Sequence, residues 1–115
     1  MNPLQGIVDF NVSRQLTEYS AFAEYNMLME ELQEFMWAGA SNDEREMVDA
    51  LCDVIIVATG ALYKLGYHPE KALNETVKEI SSRQGTFDES TGKWKKDPHQ
   101  DPTTLYKANY TNAKR

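Results

Sequence analysis

Glu46-Met47-Val48-Asp49-Ala50-Leu51-Cys52-Asp53-Val54-Ile55-Ile56-Val57-Ala58-Thr59-Gly60-Ala61-Leu62 is the stretch on which the fold turns. Side chains three or four residues apart share a helix face, so Glu46, Asp49 and Asp53 form one stripe. Continued at that spacing, the stripe passes to Val57 and Gly60, and from Val54 to Leu62 the chain has one hydroxyl and no charge. A helix that is apolar all round is enclosed by protein. The carboxylate stripe therefore runs into a core, where like charges repel and unpaired ones are costly. A solvated face is the ordinary fate of an acidic run, but it does not suit those apolar surroundings. A hard divalent cation held by carboxylate oxygens offsets the repulsion most simply.

A second acidic cluster precedes the first, in Met29-Glu30-Glu31-Leu32-Gln33-Glu34. Glu31 and Glu34 share a helix face. Tyr25, Leu28, Leu32, Phe35 and Met36 define an apolar face with the glutamates to one side, which by itself describes an ordinary amphipathic helix. Neither His68 nor His99 has a glutamate three residues before it, so the Glu-x-x-His pattern of di-iron bundles is missing. Carboxylates without imidazole point to Mg²⁺ or Mn²⁺.

Around these clusters the chain reads as helices followed by irregular structure. The first acidic helix is expected to end near Trp37, because Gly39 and then Ser41-Asn42 supply a C-terminal glycine and cap residues. Residues 4–18 form either a separate short helix or an extension of it. The second helix starts after Asn42 or Asp43 and closes at Gly66. Pro69 opens a third, with Leu73, Val77 and Ile80 at helical spacing. Residues 86–94 suit a short hairpin, or a loop pinned by Phe87 and Trp94. Pro98 and Pro102 mark an extended tail. The expected division is a helical core over residues 1–85 and a hairpin or tail over 86–115. These helices are too few to enclose the 54–65 segment alone, and the alternative to assembly is a monomer that covers it with its own tail. A homo-oligomer packed around that segment is expected, with Gly60 and Ala61 allowing close approach.

Composition bounds the function classes. The chain has 115 residues, 12 basic and 18 acidic, a balance that argues against non-specific binding to nucleic acid or anionic membranes. Residues 1–82 carry 5 Lys or Arg against 14 Asp or Glu, whereas residues 83–115 carry 7 against 4. A basic tail behind an acidic body can supply cations to an anionic ligand or associate with the body. The single cysteine, Cys52, excludes an intramolecular disulfide and a Cys-based zinc site, and its apolar neighbours predict a buried side chain. Residues 1–5 show no secretory pattern, and the apolar run is too short to span a bilayer, so the expectation is a cytoplasmic protein. There is no Gly-x-x-x-x-Gly-Lys-Ser/Thr loop to cradle phosphates.

Glu31-x-x-Glu34 followed by Glu46-x-x-Asp49 resembles the paired acidic signature of the MazG-like all-α nucleoside triphosphate pyrophosphohydrolases, a superfamily that includes all-α dUTPases, dCTP pyrophosphatases and phosphoribosyl-ATP pyrophosphohydrolases. The likeness runs from about Met27 to Lys96. It takes in the doubled Glu30-Glu31, the stretch from Asp49 to Val57, Gly60, the Leu65-Gly66 helix end and Ala72-Leu73-Asn74-Glu75. The resemblance implies an all-α bundle assembled as a homodimer or homotetramer. It implies Mg²⁺ held by Glu31, Glu34, Glu46 and Asp49, and hydrolysis of an NTP or dNTP to monophosphate and pyrophosphate. Glu30 or Glu34 would serve as base, and Asp53 would stand one turn behind the ligands. Lys78, Arg83 and Lys93 are candidate phosphate contacts, each weighed against a plain surface cation. Trp37 and Trp94 are candidates for base stacking, with core packing favoured for both. Where relatives show Ser-Asn and then Lys, this chain has Ser81-Ser82-Arg83. Two other classes compete: a non-catalytic dimerisation module that binds a partner through its basic tail, and a nucleotide sensor.

Overall fold

Asn2, Ser20 and Asp43 each place a side-chain oxygen over a helix N-terminus and so fix where three helices begin. Asn2 accepts from the Leu4 N–H, Ser20 from Ala23 and Asp43 from Glu46. The computed structural model describes residues 2–115, which leaves Met1 of the opening stretch outside it. The helices are α1 (Pro3–Ser13), α2 (Ala21–Ala40), α3 (Glu44–Leu65) and α4 (Pro69–Ser82). A two-stranded antiparallel hairpin follows, β1 (Gly85–Asp88) and β2 (Lys93–Lys96), and then two short 3-10 turns at Pro102–Thr104 and Tyr110–Ala113. The molecule is predominantly helical, and among the described residues no helix is long and apolar enough to cross a membrane.

Two compact units divide the chain: Met1–Pro69 with Arg115, and Glu70–Lys114. In the first, α2 and α3 form an antiparallel pair and α1 packs on α3. α2 outruns the expected end at Trp37. Gly39 stays helical, and the chain leaves through Asn42, whose φ of 55° is the left-handed turn. Gly66, at φ 111°, closes α3 in the same way. Near the turn Gly39 lies against Met47, and Ala38 and Ala50 are both buried. At the far end Lys64 donates to Glu24 at 2.6 Å, with Glu24 buried and Lys64 half-buried. Small side chains at one end and an ion pair at the other fix the register of the two helices.

Gly60 lies against a residue of its own chain. A Cβ there would stand 3.1 Å from Asn11 Nδ2, so its smallness admits the buried Asn11 of α1. Asn11 in turn donates to the Ile7 carbonyl at 2.9 Å. α2 has two apolar faces rather than one. Leu28 and Phe35 are half-buried, while Phe22, Tyr25, Met29, Leu32 and Met36 form an exposed stripe at alternating steps of three and four residues. Val48, Leu51 and Ile55 of α3 are also exposed, and so is Cys52, against the buried position expected for it. One chain lacks enough helices to cover that side of α3.

In the second unit the tail lies along α4 and is held by its carboxylates. Glu75 Oε1 accepts from the Tyr106 hydroxyl and from the Asn109 N–H at 2.9 Å. Glu79 accepts from the Ala108 N–H at 3.1 Å, and Ser82 Oγ from the Tyr106 N–H at 2.9 Å. Tyr106 foremost, then Asn109, holds the Glu75 carboxyl below its usual range, and the Tyr106 hydroxyl is raised in return. The expected extended tail is thus a strap with defined anchors. In the hairpin, Gly85 is required by close approach, because a Cβ would fall 2.2 Å from the Lys95 carbonyl oxygen.

Two predictions follow from these contacts. Lys64→Met leaves a buried, unpaired Glu24 and is expected to cost about 3 kcal/mol in urea unfolding, much of it regained in Glu24→Leu/Lys64→Met. An additive double mutant would show that the two residues do not act as a pair. Tyr106→Phe removes a donor to Glu75, so limited proteolysis should cleave residues 103–113 faster while the helical circular dichroism stays unchanged. Because the folded pKa of Glu75 is depressed, its anchoring is present at neutral pH and is lost as pH falls through that pKa.

Candidate functional site

Glu31 and Glu34 lie one turn apart on α2 and meet Asp53 of α3. Each offers a carboxylate oxygen, and the three atoms lie within 4.8 Å of one another. Glu31 and Asp53 are half-buried and Glu34 is exposed. Oε2 of Glu31 is shut off from solvent with no hydrogen-bond partner. Burial foremost raises the Glu31 pKa to about 7, and Glu34 and then Asp53 add to it by charge and by proximity for sharing a proton.

The side-chain cations of this unit do not answer that charge. Lys64 is bound to Glu24, and Arg45 pairs with Glu46 at 2.9 Å. Arg14 lies over the Phe10 ring, while Arg115 lies over Tyr63 and donates to its carbonyl. Three convergent carboxylates, one of which carries a buried oxygen without a hydrogen-bond partner, with each of these cations engaged elsewhere, fit a divalent cation with oxygen ligands.

The expected residues fall into separate groups. Asp53, expected one turn behind the ligands, is itself one of the three carboxylates. Glu46 and Asp49, expected among the ligands, instead line a cleft of about 240 Å³ with Glu34, Trp37, Asp43 and Ala50. Glu46 lies seven residues nearer the turn than Asp53, about 10 Å along the helix. Glu30 faces a groove with Met29, Leu32 and Met36 rather than the cluster. Trp37 is 57% exposed and forms a wall of the cleft, not part of a core. Trp94 is exposed as well.

Lys78, Arg83 and Lys93 belong to the second unit. Lys78 pairs with Glu75 at 3.3 Å and Arg83 with Glu79 at 3.8 Å, whereas Lys93 is exposed on β2 and has no ion pair among the described residues.

A sequence signal for Asp53 does exist. Glu31 and Asp53 stand eleven residues on either side of Asn42, the centre of the α2–α3 turn. Antiparallel helices share one rise per residue, so equal counts from a tight turn lie at equal height. The same count sets Glu34 opposite Ala50, both of which line the cleft.

Comparison with family models places the chain in the class of the MazG-like all-α nucleotide pyrophosphohydrolases. A family model described as phosphoribosyl-ATP pyrophosphohydrolase matches residues 13–80, more than half the chain, and the protein belongs to that family. The matched range holds the whole carboxylate cluster and stops before the hairpin. Neither the curated proteins nor the solved structures give a match.

The raised pKa gives the metal-free protein a pH dependence of definite sign. Between the ordinary 4.5 and about 7, folded Glu31 holds a proton that the unfolded chain releases. Its contribution to stability therefore falls as pH rises through that window. Urea titrations in EDTA should show this decline. Glu31→Gln should flatten it, and Mg²⁺ should restore stability above pH 7 in the wild type only. An unchanged slope in Glu31→Gln would place the titrating group elsewhere.

Proposed function

We propose that the protein hydrolyses a nucleoside or deoxynucleoside triphosphate to the monophosphate and pyrophosphate, with Mg²⁺ or Mn²⁺ held by Glu31, Glu34 and Asp53. The observation that carries this reading is the convergence of those carboxylates in a unit whose own cations are engaged elsewhere. When bound, the metal supplies positive charge for phosphate oxygens and makes water easier to deprotonate. Glu34 belongs to both the cluster and the cleft, so it is the better placed of the two glutamates considered as base. It takes the proton of the attacking water as the bond between the α- and β-phosphates breaks and pyrophosphate leaves. Trp37 offers a flat apolar wall for the base, and Asp49 and Glu46 shape the cleft beside it. The name of the matched family makes phosphoribosyl-ATP one substrate to include.

The exposed stripes on α2 and α3 support assembly as a homodimer or homotetramer. Each large apolar side chain covered there contributes roughly 1.5–3 kcal/mol. A monomer by light scattering at micromolar concentration would overturn the assembly.

Pyrophosphate release from a panel of NTPs, dNTPs and phosphoribosyl-ATP with Mg²⁺ tests the reaction. Glu31→Gln and Asp53→Asn are expected to lower kcat on the order of a hundredfold or more, and Glu46→Gln about tenfold or less. Trp37→Ala should raise KM more than it lowers kcat. Full activity in Glu31→Gln would remove the cluster from the chemistry. No release from any nucleotide would return the protein to a sensor or a partner-binding module.

A further inference from the structure

The cleft beside the carboxylate cluster has a hydrogen-bonding bias that hydrolysis alone does not use. Ser41, Asp43 and Glu46 line it where α2 turns into α3, and their backbone N–H groups are all spent. Ser41 donates to the Trp37 carbonyl at 3.0 Å, Asp43 to the Ala38 carbonyl at 2.9 Å and Glu46 to Asp43 Oδ1 at 3.2 Å. The other lining residues lie inside α2 or α3, where helical hydrogen bonds take their N–H groups. The Ser41 hydroxyl donates to the Trp37 carbonyl at 2.9 Å, which leaves its oxygen to accept.

What remains is a surface of acceptors. Glu34, Asp43, Glu46 and Asp49 bring carboxylates to the cleft, and a carboxylate only accepts. One oxygen of Asp43 is taken by the helix cap, and one of Glu46 by Arg45 at 2.9 Å. Asp49 has no hydrogen bond or ion pair among the described residues, so both of its oxygens are open. The indole N–H of Trp37 is the one uncommitted side-chain donor on the lining.

We propose that the cleft selects nucleotides whose base carries an exocyclic amine, with the ring on Trp37 and the amine donating to Asp49; this rests on the reading of the cleft as the base site. Cytosine and adenine present N–H groups where uracil and hypoxanthine present a carbonyl oxygen. The amine finds an acceptor, whereas the carbonyl gives up water and meets carboxylate oxygens instead. The same negative charge keeps phosphates out of the cleft. Ribose hydroxyls also donate, but the acids share their cleft with the flat face of Trp37, which suits a donor carried on a planar ring. The four acids are exposed and hydrated, so the selection is about ten- to a hundredfold rather than thousands.

The test compares kcat/KM, read by pyrophosphate release, for CTP against UTP and for ATP against ITP, pairs in which one amine is exchanged for a carbonyl. A preference for the amine of about tenfold or more is expected in each pair. In Asp49→Asn the new amide can donate to a carbonyl, so the CTP/UTP ratio should fall to about threefold or less, with UTP gaining. Binding is read separately in the full chain with Trp94→Phe, whose sole tryptophan is Trp37. With Mg²⁺ present, CMP should quench its fluorescence at a concentration about tenfold lower than UMP. Equal kcat/KM within both pairs overturns the selection and leaves hydrolysis standing. Tighter binding of CMP than of UMP by a protein that releases no pyrophosphate sustains the selection and overturns hydrolysis. Equal quenching by CMP and UMP, or none by either, overturns the selection. A larger loss from CTP to dCTP than from CTP to UTP overturns it in favour of a sugar hydroxyl at the acids.

Discussion

The register between α2 and α3 is the constraint from which the rest of the first unit follows. Both helices advance by the same rise, and the turn at Ser41, Asn42 and Asp43 is too tight to absorb a shift. Ala38, Ala50 and Gly39 let the helices approach near that turn, and the Glu24–Lys64 pair holds them some five turns away. Between the two anchors, Glu31, Glu34 and Asp53 face one another. Their repulsion cannot be relieved by sliding one helix past the other, because a slide would open the small-residue contact or break a buried ion pair. The carboxylates are held close by contacts that are not themselves acidic.

The helices were legible from caps and periodicity because those signals are local. Asp43 and Gly66 bound α3 in the sequence and in the structure alike. The site was half legible. Spacing at three and four residues gives the face of a helix, and Glu46, Asp49 and Asp53 do share one. Spacing within one helix does not give height against its neighbour, and height separates Asp53 from Glu46. The four acids of the signature obscured this, since Glu46 and Asp49 have its spacing while Asp53 has the opposing glutamates.

Burial was the least legible property. Cys52 and Trp37 look like core residues among apolar neighbours, yet each points to a side of its helix that one chain leaves open. Gly60 invites a close neighbour by composition, and only the structure shows that Asn11 of the same chain is one. A single sequence records which faces are apolar without recording what covers them. The tail failed in the opposite direction. Residues 100–113 have no periodic pattern to read, and they are ordered by long-range hydrogen bonds to Glu75, Glu79 and Ser82, which sequence spacing does not encode.

The distribution of cations gives the cluster its chemical character. Arg14, Arg45, Lys64 and Arg115 are taken up by Phe10, Glu46, Glu24 and Tyr63. Two neutralising agents then remain within the unit's own chemistry. One is a proton, which Glu31 keeps up to about pH 7. The other is a metal ion, which needs that proton gone. Proton and metal would therefore compete for the same charge, and burial has moved the proton's side of that competition up to about pH 7. A lysine beside Glu31 would end it by pairing with the carboxylate and lowering its pKa, and an ion would then have little to offset. Pairing Lys64 with Glu24 holds the helices in register and also keeps a positive charge away from the carboxylates, so one interaction serves both the fold and the site.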